Sequence, residues 1–416
     1  MKILIISHYY PPHSSVASLR VYDIAKYLHL NGAEVKVLTS EKYGFDGPQL
    51  NPQPNPGFEV IQSSYLNKPA QKTEGAKTVV KNKPKTNMIT RVKSFAMQLK
   101  SYMGSLLDIH FLWYFAGLKS AKEIYRRWQY DVVLASYPPP VAVMIAAKTA
   151  RHLNIKYVVD FRDPWYGNPI ISSKFLFATL ERYLEKKYVK NANLIIGASQ
   201  VISEMYDKRY QSIKNYHMTN GFDLKNGQTL PQAKTIRFNE QTEITIAYTG
   251  KIYSHQNIYL LLEIIGALNN KFSGVRFTLN IFGNNLASET SDQLSDRVNY
   301  LASIPREEII RIQKESDLLV LLVSNSTLFQ YQIPAKVFEY IFSGTPVLVV
   351  GENKDQACQI VLDTNTGYHI QNTKQALTLL SDIMKNGIDF VPNITELQKY
   401  IREQQISALK DEISGL

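Results

Sequence analysis

The chain has 416 residues, 44% of them hydrophobic and 20% charged, enough for two domains of about 100–200 residues each. A single cysteine, Cys358, excludes an internal disulfide. The net charge of +11 is local: nine Lys or Arg against one acid in 68–100 carry +8 of it, which excludes a general nucleic-acid-binding surface.

In chain order, Lys2–Ile6 is predicted as a buried strand. The loop YYPPHSSVAS follows, then a helix over 19–30 ended by Asn31-Gly32, and a second strand over 35–40. This is a βαβ opening with a polar loop at the first strand's carboxyl end. Pro11 and Pro12 stiffen that loop, and Ser14, Ser15 and Ala17 would let its backbone approach a ligand closely. MKILIISHYYPP is too short in its apolar run for a signal peptide. No apolar run approaches the roughly 20 residues that span a bilayer.

Residues 41–110 are the least regular, with four prolines and two glycines over 47–57 and the basic segment after them. A helix over 88–103 and helical character over 109–128 are expected, the latter with Phe111, Trp113, Tyr114, Phe115, Tyr125 and Trp128 packing on the domain. From residue 131 the pattern sharpens into strands over 131–136, 156–165 and 193–199 with helices between, one over 180–190. The strand over 156–165 ends in the polar cluster Asp160, Arg162 and Asp163, which could serve a ligand or be structural, the acids capping the loop around Arg162. Alternation of this kind makes a doubly wound α/β domain.

A linker is expected over 224–235. ITIAYTGKIY (244–253) restarts the pattern with strand, Gly250 and Lys251, followed by a helix over 260–268, a strand over 275–283 and a helix over Arg306–Glu315. The unit DLLVLLV, IPAKVFEYIFSGTPV, PVLVV then reads as strand, helix, strand. Pro334 suits a first helical position, Gly344 the residue past the end, and Pro346 forbids continuation. Lys336 in the first turn and Glu339 three residues on share a helix face. They could form a clamp on a nucleotide diphosphate, or merely a surface ion pair. His8, His13 and His255 have no second ligand at a metal-site spacing.

HYYPPHSSVASLRVYDIAKYLHLNGAEVKVLTS, DVVLASYPPP, VVDFRDPW, TNGFD, IAYTGKIY and IPAKVFEYIFSGTPVL stand in the order found in the family-four glycosyltransferases, which this chain resembles over nearly its whole length outside 41–105. The resemblance implies a GT-B fold: two doubly wound Rossmann-like domains facing across a cleft, with a C-terminal helix crossing back to the first. The expected bounds are 1–225, 236–390 and 391–416. It implies transfer of a sugar from a nucleotide-diphosphate sugar to a lipid-linked or oligosaccharide acceptor, with retention, in bacterial surface-polysaccharide synthesis. From the histidine spacing and the local basicity, no metal or other cofactor and no nucleic-acid partner are expected. The expected location is cytoplasmic, with residues 68–100 as a segment to hold a membrane surface. Donor contacts fall on Gly250, Lys251, Ile304, Pro334, Ala335, Lys336, Glu339, Ser14, Ser15 and Val16. The catalytic set is Lys251, Lys336, Asp160, Arg162 and Asp163. The family's first glutamate is here Tyr331, its paired glycines are Ser14-Ser15, and the histidine common after DVVLASYPPP is missing. These departures keep two alternatives open, a GT-B sugar-nucleotide epimerase and a non-catalytic nucleotide-sugar-binding protein.

Overall fold

In a computed structural model of the chain, the described residues are 1–43, 57–66, 103–106, 108–169, 173–224, 229–238, 242–253, 255–283, 296–324 and 326–416. The basic segment 68–100, nearly all of the expected helix over 88–103 and part of the expected linker lie outside them. The chain divides into two compact units, Met1–Met218 with Ile406–Leu416, and Thr219–Gln405.

The first unit is built on seven parallel strands: β1 (Lys2–Ile6), β2 (Glu34–Ser40), β3 (Glu59–Ser63), β4 (Val132–Tyr137), β5 (Lys156–Phe161), β6 (Leu194–Gly197) and β7 (Lys214–His217), in the order β3-β2-β1-β4-β5-β6-β7. The apolar runs KILII and VVLASY are buried along nearly their full length, as strands covered on both faces must be. The second unit has a two-stranded antiparallel ribbon of β8 (Lys234–Ile236) with β15 (Ile388–Phe390). Its main sheet has six parallel strands: β9 (Glu243–Thr249), β10 (Arg276–Phe282), β11 (Val298–Leu301), β12 (Leu318–Leu322), β13 (Val347–Val350) and β14 (Gly367–Ile370), ordered β11-β10-β9-β12-β13-β14.

Strand order reverses between β1 and β4 in one sheet and between β9 and β12 in the other. Loops leaving the carboxyl ends of such neighbours diverge and leave room for a ligand. Gly250 and Lys251 follow β9 directly; Ser7 and His8 follow β1.

Several element bounds differ from expectation. The first helix is Val16–Leu30, starting earlier because the Ser15 side chain accepts the Ser18 N–H and caps it. The helix expected over 180–190 is Leu176–Val189. The helix built around Lys336 is short, Lys336–Ile341, so Pro334 and Ala335 precede it; their carbonyls accept the N–H groups of Val337 and Phe338 at 3.1 and 3.2 Å. Gly344 does take the left-handed backbone expected past that helix, with φ +78°. The tail is two helices, Ile394–Gln398 and Arg402–Ser414. Between them Phe222 bonds to Tyr400 and Arg402. Of the expected 391–416, Leu397 and Ile401 belong to the second unit's core, and only Ile406, Leu409 and Ile413 enter the first unit's.

Candidate functional site

The second unit holds a buried lysine nitrogen. The Nζ atom of Lys336 is buried and has no hydrogen-bond partner among the described residues. It sits 3.8 Å from the centroid of the Tyr248 ring. A Cβ added to Gly250, whose φ is +100°, would come within 3.3 Å of it. Glycine at 250 therefore serves two ends: it takes a backbone angle that side chains resist, and it leaves room for the ammonium. Burial pushes Lys336 down to about 7, with the nearby Glu339 carboxylate pulling the other way. A cation–π contact of this kind is worth roughly 0.5–2 kcal/mol, far short of the cost of a desolvated ammonium.

Around this cation the strand ends are fixed tightly. The Tyr340 hydroxyl accepts the Thr249 N–H at 2.8 Å and meets the Thr249 hydroxyl at 3.1 Å. Gln313 donates through Nε2 to Thr249 Oγ1 at 3.0 Å and to Glu339 Oε2 at 3.3 Å. The other oxygen of Glu339 is 3.1 Å from Nη2 of Arg306. Gly250 N donates to Phe282 O at 2.8 Å, and Gly283 N to Leu301 O at 3.1 Å. So the turns after β9, β10 and β11 are stitched together under Lys336 and Glu339. Lys251 itself is exposed, its ammonium 5.7 Å from the Tyr253 ring. Ile304 is partly buried against the core. Tyr331, at the position of the missing acid, is 5% exposed and packs inside.

The first unit brings the other expected residues together differently. Asp160 is 0% exposed; Arg20 holds it through Nη2 at 2.8 Å and Nε at 3.1 Å, and Ser136 donates to it at 2.9 Å. Arg20 also donates to Met218 O at 2.8 Å. Asp160 thus ties strand ends β4 and β5 to the first helix, the structural one of the two roles expected for it. Arg162 is partly buried, donates to Pro138 O at 3.1 Å, and lies 5.3 Å from the Tyr9 ring. Its Nε has no hydrogen-bond partner among the described residues, and burial pushes its guanidinium below the usual range. Asp163 is beside it, partly buried. Ser15 Oγ is occupied with Ser18, 3.0 Å from its hydroxyl, and with His13 at 3.1 Å. Val16 is 46% exposed and Ser14 partly buried. His8 is buried against Ser40 at 2.6 Å, with burial lowering its affinity for a proton.

Sequence reasoning missed Tyr248, Arg306 and Gln313. Tyr248 lies within IAYTGKIY and Arg306 opens the helix predicted over Arg306–Glu315; nothing in one sequence pairs them with Lys336 or Glu339. Among the described residues no group of three or more His, Cys, Asp or Glu could hold a metal, and no helix is long and apolar enough to cross a membrane.

No curated protein sequence matches the chain significantly. Among solved structures, HepE of Anabaena in complex with UDP is similar at 15% identity over 100% of each chain, with a TM-score of 0.61. The UDP-GlcNAc 2-epimerase of Methanocaldococcus jannaschii is similar at 10% identity over 100% of each chain, with a TM-score of 0.52. WaaG, a glycosyltransferase involved in lipopolysaccharide biosynthesis, is similar at 13% identity over 98% of this chain and 95% of its own, with a TM-score of 0.50. These likenesses show the two-domain GT-B fold. The model for Glycosyltransferase Family 4 matches residues 99–226 and that for Glycosyl transferases group 1 matches residues 232–405. The chain belongs to the family-four glycosyltransferases of GT-B type.

Proposed function

We propose that this glycosyltransferase moves a sugar from a UDP-sugar to a lipid-linked or oligosaccharide acceptor, with retention, in bacterial cell-surface polysaccharide synthesis. The observation that carries the donor half is the buried, unpartnered ammonium of Lys336 beside Gly250. A diphosphate at this turn would supply the missing counter-charge, with Lys251 on its exposed side. Glu339, already oriented by Arg306 and Gln313, would accept from the ribose hydroxyls, and the backbone at Ile304 would meet the base. UDP is the nucleotide of choice because HepE and the epimerase both carry uridine compounds in their names or complexes. Pro334 and Ala335, just before Lys336, complete the donor contacts of this unit. No metal takes part in this reading; lysine charge replaces it. The acceptor class rests on the family resemblance and on the similarity to WaaG.

The surroundings of Asp160 and of Tyr331 support retention. Asp160 is locked to Arg20, and Tyr331 stands inside the core, so neither offers an oxygen to the anomeric carbon. The acceptor oxygen then attacks from the face the leaving group departs. The C1–O bond to the β-phosphate breaks as the new one forms, and the acceptor proton passes to the departing phosphate oxygen. Electrostatic stabilisation of that leaving group by preorganised donors is worth about 3–4 kcal/mol each. Arg162 and Asp163 belong to the acceptor side.

The test is a panel of UDP-, GDP- and dTDP-sugars with and without polyprenyl-phosphate-linked acceptors, scored by nucleotide release and by proton NMR of the first product. The reading expects UDP release that requires acceptor, and a product of the donor's anomeric configuration. Release with isomerised sugar and no acceptor would mean an epimerase. Saturable binding with no release would mean a binding protein.

A further inference from the structure

The helix Leu176–Val189 is turned the wrong way round for a face meant for water. Both of its acids are inside. Glu181 is 0% exposed, taking hydrogen bonds from the Ser105 hydroxyl and from Ser173 N at 3.2 Å. Glu185 is 2% exposed; it accepts from Tyr166 N at 2.8 Å and Tyr210 OH at 3.0 Å, and pairs with Arg209 at 3.1 Å. Four large apolar residues at its start and along one side are outside, while Phe177, Leu184 and Tyr188 are half-buried and Val189 is buried. Phe175 is 81% exposed, Leu176 84%, Tyr183 59% and Leu180 46%. Positions 176, 180 and 183 are spaced four and three apart, so they form one stripe along the helix. Phe175 heads it with φ +52°, a left-handed angle that bulky residues seldom take. Lys174, Arg182, Lys186, Lys187 and Lys190 flank the stripe, all exposed. The exposed side thus carries five cations, no acid and four large apolar groups.

We propose that this face docks on an anionic lipid surface. A helix lying in the membrane interface needs an apolar stripe to enter the acyl boundary and basic residues beside it to meet the headgroups. Lys and Arg also lie along apolar surface with their charges held outward. Charge selects the occupant: a second copy of the chain would bring five cations against five, whereas anionic lipid neutralises them. Tyr114 lies near Tyr188 at the far end of the helix, and the segment that Tyr114 belongs to exposes Leu112 and Phe115 as well.

Pelleting with vesicles of phosphatidylcholine plus phosphatidylglycerol, against phosphatidylcholine alone, tests this on the full chain. Wild type should bind the anionic vesicles in a salt-sensitive way. The variant Phe175→Ser/Leu176→Ser/Leu180→Ser should bind at least about tenfold more weakly, as should Lys186→Glu/Lys187→Glu. Both should keep the wild-type melting temperature and UDP affinity, which separates this inference from the nucleotide reading. The comparison variant Lys81→Gln/Lys83→Gln/Lys85→Gln should keep most of the binding. Wild-type affinity in the apolar triple variant, or loss confined to the comparison variant, would overturn the proposal. So would a dimer that the triple variant dissociates with vesicle binding unchanged.

Discussion

Two ionisable side chains are buried in this molecule, one at a strand end and one at the start of a helix, and they are treated in opposite ways. Asp160 is enclosed by Arg20, Ser136 and the surrounding sheet, with both oxygens engaged. Lys336 is buried with an aromatic ring and a glycine for company and no acceptor. A buried charge with a matched partner is part of the scaffold, because removing either member strands the other. One without a partner is tolerated only where something supplies the counter-charge during function. Of two charged positions that both read as site residues in the sequence, only Lys336 is left open in this way.

Replacing Lys336 should break the comparison most visibly. In Lys336→Met, sugar transfer should fall by about two to three orders of magnitude, following the roughly 3–4 kcal/mol that one preorganised donor supplies, while the melting temperature rises or stays level. Steady-state rates and a thermal melt on the same preparation check both halves. Asp160→Asn should do the reverse in kind. It should cost about 3–5 kcal/mol of stability, read from urea unfolding. Pairing it with Arg20→Met should recover part of that loss, since no buried charge is then left alone.

A smaller effect separates the two by pH. Lys336 in the folded state binds its proton more weakly than in the unfolded chain, where a lysine titrates near 10.4. Between about 7 and that value the unfolded state holds more protons, so stability should rise with pH across this window. Unfolding of wild type and Lys336→Met at pH 7 and 9 checks the sign: the rise should be absent in the variant. Smallest is the effect at Glu339. Glu339→Gln should weaken UDP by about tenfold, the scale of a hydrogen bond to a charged group, and should narrow the preference for UDP over 2′,3′-dideoxy-UDP. Arg306→Ala, at the exposed end of that pair, should cost no more than about 1 kcal/mol.

The same contrast marks how far the sequence could be read. Continuous apolar runs such as KILII and LLVLL foretell buried parallel strands because burial on both faces leaves no alternation to hide. Their alternation with helices announces two doubly wound sheets. Lys336, Glu339 and Gly250 were visible as motif residues within a strand–turn and a strand–helix unit. What one sequence does not carry is which partner meets which. The bond from Arg20 to Asp160 spans 140 positions, and DFRDPW looks alike whether its first acid faces a ligand or an arginine. Short edge strands such as β7 and β11 escaped because they are polar and partly exposed, which leaves no apolar run to see. The late start of the helix at Lys336 escaped because Pro334 fits a first helical position equally well as a position just before one.

The central claim is that Lys336, whose hold on its proton is weakened by burial, waits for a diphosphate. Calorimetry of UDP binding at pH 8, in two buffers of different ionisation enthalpy, counts the protons taken up. The account predicts uptake approaching one proton per UDP in wild type, an affinity that falls as pH rises from 7 to 9, and neither effect in Lys336→Met. UDP binding with no proton uptake, and with the same affinity in Lys336→Met as in wild type, would contradict it.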